Sequence, residues 1–267
     1  MNISSRRLEN HWPGTSHQNV SPKAWYSLVS EYTRLNITYE QDLLPALSGI
    51  AKKVRQSRPG DVYLAGLWGD TLLRDLVWYL GASRKSSRRP SKWRAPSWSW
   101  ASLDGAIVYQ DLFPSFHLLE LHTTLVDASV TLAGVDPTGG VTAGQIILDG
   151  PLFDVELYVK DRILGGFPRY YVRGNSLDVR FTPDCSGDLH DGTLRLGDRL
   201  ACLRVATWKD RGQGSSDMSV YLALKLISDG STTQDRLPTY RRVAHIVGDE
   251  EFGGKSTKAP TRRIKII

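Results

Sequence analysis

Only two cysteines and two methionines occur in this 267-residue chain, and no apolar run approaches the roughly 18–20 residues that a membrane-spanning helix needs. Two thiols, Cys185 and Cys202, are too few for a disulfide framework, and they lack the paired spacing of a zinc site. Both are read as reduced thiols without a functional role. The first residues are polar and carry Arg6 and Arg7 where a signal peptide would need an apolar stretch. The chain is therefore expected to be soluble and intracellular, in the cytoplasm. The Asn-x-Ser/Thr triplets at Asn2, Asn19 and Asn36 are then chance matches, because the glycosylating enzyme is never met.

Catalytic templates are also missing. Gly212-Gln213-Gly214 has neither a third glycine nor the flanking helix of a dinucleotide site, and no Gly-x-Ser-x-Gly elbow occurs. His117 and His122 are five apart, which suits neither a helix nor a strand for holding one ion. His190-Asp191-Gly192 pairs an imidazole with a carboxylate, as a general base would, but its glycine-rich surroundings read as an exposed turn. Asp249-Glu250-Glu251 reads as a surface charge cluster, with a cation or a basic partner as its functional alternative. No catalytic residue, cofactor or metal is assigned.

What the chain does have is basic charge, unevenly placed. Residues 1–103 hold fifteen Lys/Arg against seven Asp/Glu, whereas 104–267 hold nineteen against twenty-one. The excess concentrates in Arg84-Lys85-Ser86-Ser87-Arg88-Arg89-Pro90-Ser91-Lys92-Trp93-Arg94, which contains no acidic residue. Its candidate anion or partner contacts are Arg84, Lys85, Arg88, Arg89, Lys92, Trp93 and Arg94. The plainer alternative is a solvated Ser/Pro-rich loop.

Periodicity divides the chain. Residues 1–20 show no period and are expected to be mobile. Ser21-Pro22 marks a helix start, and Trp25, Leu28, Val29 and Tyr32 form one stripe of a helix over 22–34. A second helix begins near Asp42, with Pro45 in its first turn and Leu43, Leu47, Ile50 and Val54 on one face. Gly49 in its middle suggests a close approach by another element. A third helix is expected over 62–80, with Trp68, Leu72, Leu73, Leu76, Val77 and Leu80 apolar and Gly81 as its C-cap.

From residue 95 the period becomes two. Trp98 and Trp100 alternate with serines, which places both indoles on one buried face of a strand. Asp104-Gly105 then suggests a type I′ hairpin, with Ile107-Val108-Tyr109 returning so that Trp100 faces Tyr109. Further strands are read at 126–132, at 146–158 with a break at Gly150-Pro151, and at 177–181, 199–205, 219–227, 240–246 and 263–267. The fold class is α+β: an N-terminal three-helix layer followed by an antiparallel β-sandwich or barrel. Three regions follow, namely 1–20, a helical region 21–94 ending in the basic loop 84–94, and a β-rich region 95–267. Trp68, Trp98 and Trp100 are expected near the contact between the helices and the sheet.

Two runs, Ala95-Pro96-Ser97-Trp98-Ser99-Trp100-Ala101-Ser102-Leu103-Asp104-Gly105 and Asp61-Val62-Tyr63-Leu64-Ala65-Gly66-Leu67-Trp68, together resemble the region downstream of the fungal heterokaryon-incompatibility (HET) domain. Leu43-Leu44-Pro45-Ala46-Leu47-Ser48-Gly49-Ile50-Ala51 is similar to that family's helix ending in Ser-Gly-Ile-Ala. A weaker likeness returns at Val220-Tyr221-Leu222-Ala223-Leu224, Tyr240-Arg241-Arg242-Val243 and Ile264-Lys265-Ile266-Ile267. The Ser-Tyr-x-Trp-Gly-like and Trp-Ile-Asp-x-x-Cys-Ile-like motifs of the HET domain itself have no counterpart here. The resemblance implies a non-catalytic scaffold or regulatory region of an allorecognition and programmed-cell-death protein. Its implied partner is another protein or the missing HET domain, with residues 1–20 as the linker to such a domain. The alternatives are nucleic-acid binding through 84–94, with Trp93 stacking on a base, and an enzyme whose site is assembled from distant residues.

Overall fold

The computed structural model describes residues 21–35, 37–81, 87–109, 112, 116–161, 169–174, 178–210, 217–231, 236–249, 252 and 259–267. The segment 1–20, expected to be mobile, lies outside the described residues, as do Leu177 and most of the acidic run after Gly248.

Helix α1 (Pro22–Tyr32) starts as the sequence suggests: the Ser21 hydroxyl accepts from the Lys23 amide at 3.3 Å, and Pro22 occupies the first turn. Trp25, Tyr26 and Val29 are buried along it. A 3₁₀ turn over Glu40–Asp42 leads into α2 (Leu43–Gln56), whose first turn accommodates Pro45. The buried stripe of α2 runs through Leu43, Leu44, Leu47, Ala51 and Val54, and Ile50 is 44% exposed. Ile50 therefore leaves the face assigned to it, because the stripe tilts toward Ala51. Nothing lies within 4 Å of a side chain built at Gly49, so the expected close approach there is absent among the described residues.

The expected third helix over 62–80 is corrected most. Strands β1 (Tyr63–Leu64) and β2 (Leu67–Trp68) form a tight hairpin, a single helical turn α3 (Leu72–Asp75) follows, and β3 (Trp78–Leu80) is extended. The reason lies at Ala65 and Gly66, whose φ angles of +48° and +100° reverse the chain as a two-residue primed turn does. β3 pairs with β4 (Ile107–Tyr109), setting Trp78 opposite Tyr109, and Gly81 continues that ladder by donating to the Ala106 carbonyl. Among the described residues the N-terminal layer thus consists of two longer helices, the single turn α3 and two small strand pairs.

The Trp98–Trp100 run is also not a strand. Ser99 caps a 3₁₀ turn over Trp100–Ser102, its hydroxyl accepting from the Ala101 amide and donating to the Ala65 carbonyl. Both indoles are fully buried all the same, and so are the intervening serines, because each serine hydroxyl serves a backbone group and not solvent. Neither Asp104 nor Gly105 has a positive φ, so no primed turn forms there, and Trp100 does not face Tyr109 across a ladder. Instead Asp104 forms an isolated bridge with Arg88.

Nine strands make up the large sheet: β5 (Phe116–Leu121), β6 (Thr124–Leu132), β7 (Val141–Asp161), β8 (Arg169–Arg173), β9 (Asp178–Pro183), β10 (Arg199–Asp210), β11 (Met218–Ser228), β12 (Thr239–Asp249) and β13 (Thr261–Ile266). Pairings β7–β8, β8–β9, β9–β12, β12–β11, β11–β10 and β10–β7 are all antiparallel, and they bring the path back to its starting strand. The sheet is nonetheless mixed, not purely antiparallel, because β13 lies parallel to β12 at Thr239 and Tyr240. β7 runs unbroken through Gly150-Pro151 because it changes neighbours there, leaving β6 at Asp149 and meeting β10 from Leu152. A side chain on Gly150 would meet the Thr123 hydroxyl and Leu203.

Alternation along the strands sorts the apolar residues into two cores. Leu200 and Cys202 of β10, Tyr221 and Ala223 of β11, Val155 and Leu157 of β7, Val172 and Phe181 face one another in the first. Leu203, Val205, Leu222, Leu224, Ile264 and Ile266 turn the other way and pack with Trp25, Leu47, Trp68, Trp78, Trp98 and Trp100 in the second. β10 and β11 are thus buried on both faces, with the helices covering one of them. The three signature tryptophans do lie at this contact.

Candidate functional site

Two buried arginines organise the N-terminal layer: Arg242 fastens it to the sheet, and Arg94 ties its own segments together. On β12, Arg242 is fully buried with its guanidinium 3.4 Å from the Trp78 ring centroid. It donates to both oxygens of Asp184 at 2.8 and 3.2 Å, and to the carbonyls of Leu76 and Trp78 at 2.6 and 2.5 Å. Burial pushes Asp184 up and Arg242 down, and the contact between them opposes both shifts. Breaking such a pair would leave a bare charge inside, so its geometry holds the layer in register. Arg94, the second, lies in the basic stretch. It donates to the carbonyls of Glu40, Ala101 and Leu103 and to Asp104 Oδ1, all within 2.7–2.9 Å.

The rest of the basic stretch is folded in the same way. Arg88 contacts Glu40 at 2.8 Å and Asp104 at 3.3 Å. Arg89 makes a two-pronged pair with the buried Asp188, at 2.8 and 2.7 Å, which ties the loop to the 3₁₀ turn Ser186–Leu189. Ser87 reinforces that tie by accepting from the Ser186 amide. Of the seven candidate contacts, Arg84 and Lys85 lie outside the described residues. Arg88, Arg89 and Arg94 are engaged within the chain, and Lys92 and Trp93 face outward. Trp93 is 52% exposed, and it alone among the described tryptophans is not buried.

Beneath Trp93 lies a cavity of about 810 Å³, between the segment 89–97, the β6–β7 hairpin and the end of β11. Every charged side chain lining it among the described residues is an arginine: Arg89, Arg94 and Arg241. Successive strand residues point apart, so Arg241 opens to this cavity while Arg242 turns inward. Arg241 is half-buried and makes no ion pair or hydrogen bond through its guanidinium among the described residues. Burial and the nearby Arg89 hold it below the usual guanidinium range, while Asp188 and Asp191 pull the other way from a distance. Across the ladder it faces Lys225, which is itself held by Asp198 at 2.8 Å. Sequence reading passed over Arg241 because a basic residue in an alternating strand looks like an ordinary solvent-facing one.

The other candidates are placed as follows. His190 is exposed in a turn where its amide donates to the Gly187 carbonyl, and the Thr193 hydroxyl, with the Thr193 amide, holds the Asp191 carboxyl low. His122 meets Thr207 at 2.6 Å and Glu120 only at 3.8 Å; the His117 side chain lies outside the described residues, as do Glu250, Glu251 and the Asp249 side chain. Cys185 and Cys202 are buried, and burial pushes both thiols up, away from a reactive thiolate. Among the described residues no cluster of His, Cys, Asp and Glu could hold a metal ion, and no helix is long and apolar enough to cross a membrane. No family model, curated protein or solved structure matches the chain, so the reading of its function rests on its own residues and geometry.

Proposed function

We propose that this chain is a non-catalytic scaffold or regulatory region of a HET-type allorecognition protein, soluble in the cytoplasm. It acts by contact with a protein partner or an upstream HET domain. One observation carries the reading: the separated stretches that resemble that family share a core. Leu43, Leu47, Trp68, Trp98 and Trp100 pack with Leu222, Leu224, Ile264 and Ile266, so the likeness follows packing as well as order in the chain. The ring of antiparallel pairings supports reading the β-rich part as a barrel decorated by the N-terminal layer. Nucleic-acid binding through 84–94 has less support, because Arg88, Arg89 and Arg94 each hold a carboxylate of this chain.

The test joins the chain behind a HET domain in a fungal host and compares the frequency of cell death with that caused by the HET domain alone. The purified chain is assayed in parallel for cleavage of NAD and of ester substrates. A changed frequency with no turnover is expected. Unchanged death, or turnover above buffer, overturns the proposal.

A further inference from the structure

Arg241 poses an electrostatic problem within the fold. It stands opposite Lys225 on the neighbouring strand and near Arg89, and like charges placed this way repel. Those two neighbours have their own carboxylates, Asp198 and Asp188, whereas Arg241 has none within ion-pair distance among the described residues. Its planar fork opens into a cavity lined by no acidic side chain among the described residues; the backbone of Ile267 also lines it, but its carbonyl is taken by the Ser97 amide and hydroxyl and no ion pair joins it to Arg241. The cavity volume, about 810 Å³, falls in the range of small-molecule sites.

The remaining lining narrows the ligand. Ser129, Thr131 and Gln145 supply uncharged polar groups along the β6–β7 hairpin, where Ser129 is paired with Gln145. Ser102 also lines the cavity, and its buried hydroxyl has no hydrogen-bond partner among the described residues. At the rim, Trp93 offers a flat apolar surface that nothing in the described chain stacks on. A guanidinium that can grip two oxygens of one group, beside hydroxyls and an open indole, suits an anion joined to a planar ring.

We propose that this cavity binds a nucleoside monophosphate, with the phosphate on Arg241, the base against Trp93 and the sugar over the hydroxyl-bearing hairpin. The site is independent of the scaffold reading above, since neither a HET partner nor catalysis enters it. Because the cavity joins the segment 89–97 to the sheet, occupancy favours the folded arrangement of both.

The experiment titrates the full chain with AMP, adenosine and inorganic phosphate separately, following tryptophan fluorescence and melting temperature. AMP is expected to change the fluorescence and raise the melting temperature with concentration, and to bind at least tenfold more tightly than either fragment. Arg241→Gln, which relieves the repulsion, should melt no lower than the parent without ligand and bind AMP at least tenfold more weakly. Arg241→Lys, which keeps the charge but not the fork, should fall between, so the comparison survives if the glutamine variant folds poorly. Trp93→Ala should lose the fluorescence change. The proposal fails if millimolar AMP has no effect, if the Arg241 variants bind it as the parent does, or if adenosine or phosphate alone binds as well as AMP.

Discussion

Two buried ionisable side chains, Asp75 and His245, carry opposite pH signatures. Asp75 accepts from Tyr26 Oη at 2.7 Å and from the Trp68 amide at 2.8 Å, yet burial outweighs these contacts and pushes it up from 3.8 to about 6. The fold therefore favours its neutral form. That contribution is full below pH 4 and is lost as pH rises through 6, about 3 kcal/mol in all at 1.36 kcal/mol per unit. His245 stacks on Tyr79 with ring centroids 5.1 Å apart, and burial, with the Arg242 charge beside it, lowers it from 6.5 to about 3. Its neutral form is favoured, so its contribution is full above pH 6.5 and is lost as pH falls toward 3. Between pH 4 and 6 the two trends oppose each other. Urea midpoints measured from pH 4 to 7 should separate them. The parent should therefore be nearly flat over pH 4–6, Asp75→Asn should leave stability rising with pH there, and His245→Phe, which keeps the stacked ring, should leave it falling. Retention of the parent slope by both variants would rule this assignment out.

At the scale of elements, two glycines show how local pattern and tertiary contact part company. Gly49 and Gly66 both interrupt apolar runs, and sequence reading attached meaning to the wrong one. Gly49 has open space around it, so Gly49→Ala should stabilise α2 by about 0.5–1 kcal/mol through helix propensity alone. Gly66 has a φ of +100°, and a methyl group there would come within 2.7 Å of the Trp100 ring. Its carbonyl also accepts from the indoles of both Trp25 and Trp100. Gly66→Ala should cost at least the roughly 1–3 kcal/mol of overpacking, read as a lower denaturation midpoint. The β1–β2 hairpin was hidden because Ala-Gly is a weak primed-turn signal beside Asp104-Gly105, and alanine takes a positive φ only at a cost. α1, by contrast, was legible from its cap and stripe, and so was most of the later sheet from its alternation. β5 and β8 were not: Phe116–Leu121 has apolar Leu118 and Leu119 side by side and so breaks the alternation, and in Arg169–Arg173 the tyrosines at 170 and 171 are likewise adjacent.

On the scale of the whole molecule, the shared core implies one cooperative transition. Trp25, Trp68, Trp78, Trp98 and Trp100 come from the N-terminal layer, yet they pack in one cluster with Leu203, Leu222 and Ile264 of the sheet. Arg242 and Ser97 fasten the same junction: the Ser97 hydroxyl donates to the Ile267 carbonyl and accepts from the Arg242 amide. Tryptophan fluorescence and far-ultraviolet circular dichroism should therefore report coincident unfolding curves in urea. A fluorescence transition that precedes the loss of strand signal would mean that the layer detaches first. Composition and periodicity by themselves determined which residues are apolar enough to be buried, where α1 and α2 begin, and that the later chain forms strands, because burial and hydrogen bonding act on local pattern. They could not determine which charges would meet. Arg94, Arg241 and Arg242 are alike in sequence, yet the fold buries one against carbonyls, pairs another with Asp184 and leaves the third facing a cavity. Partners far along the chain decide the energy of a charge, and only the tertiary structure supplies them.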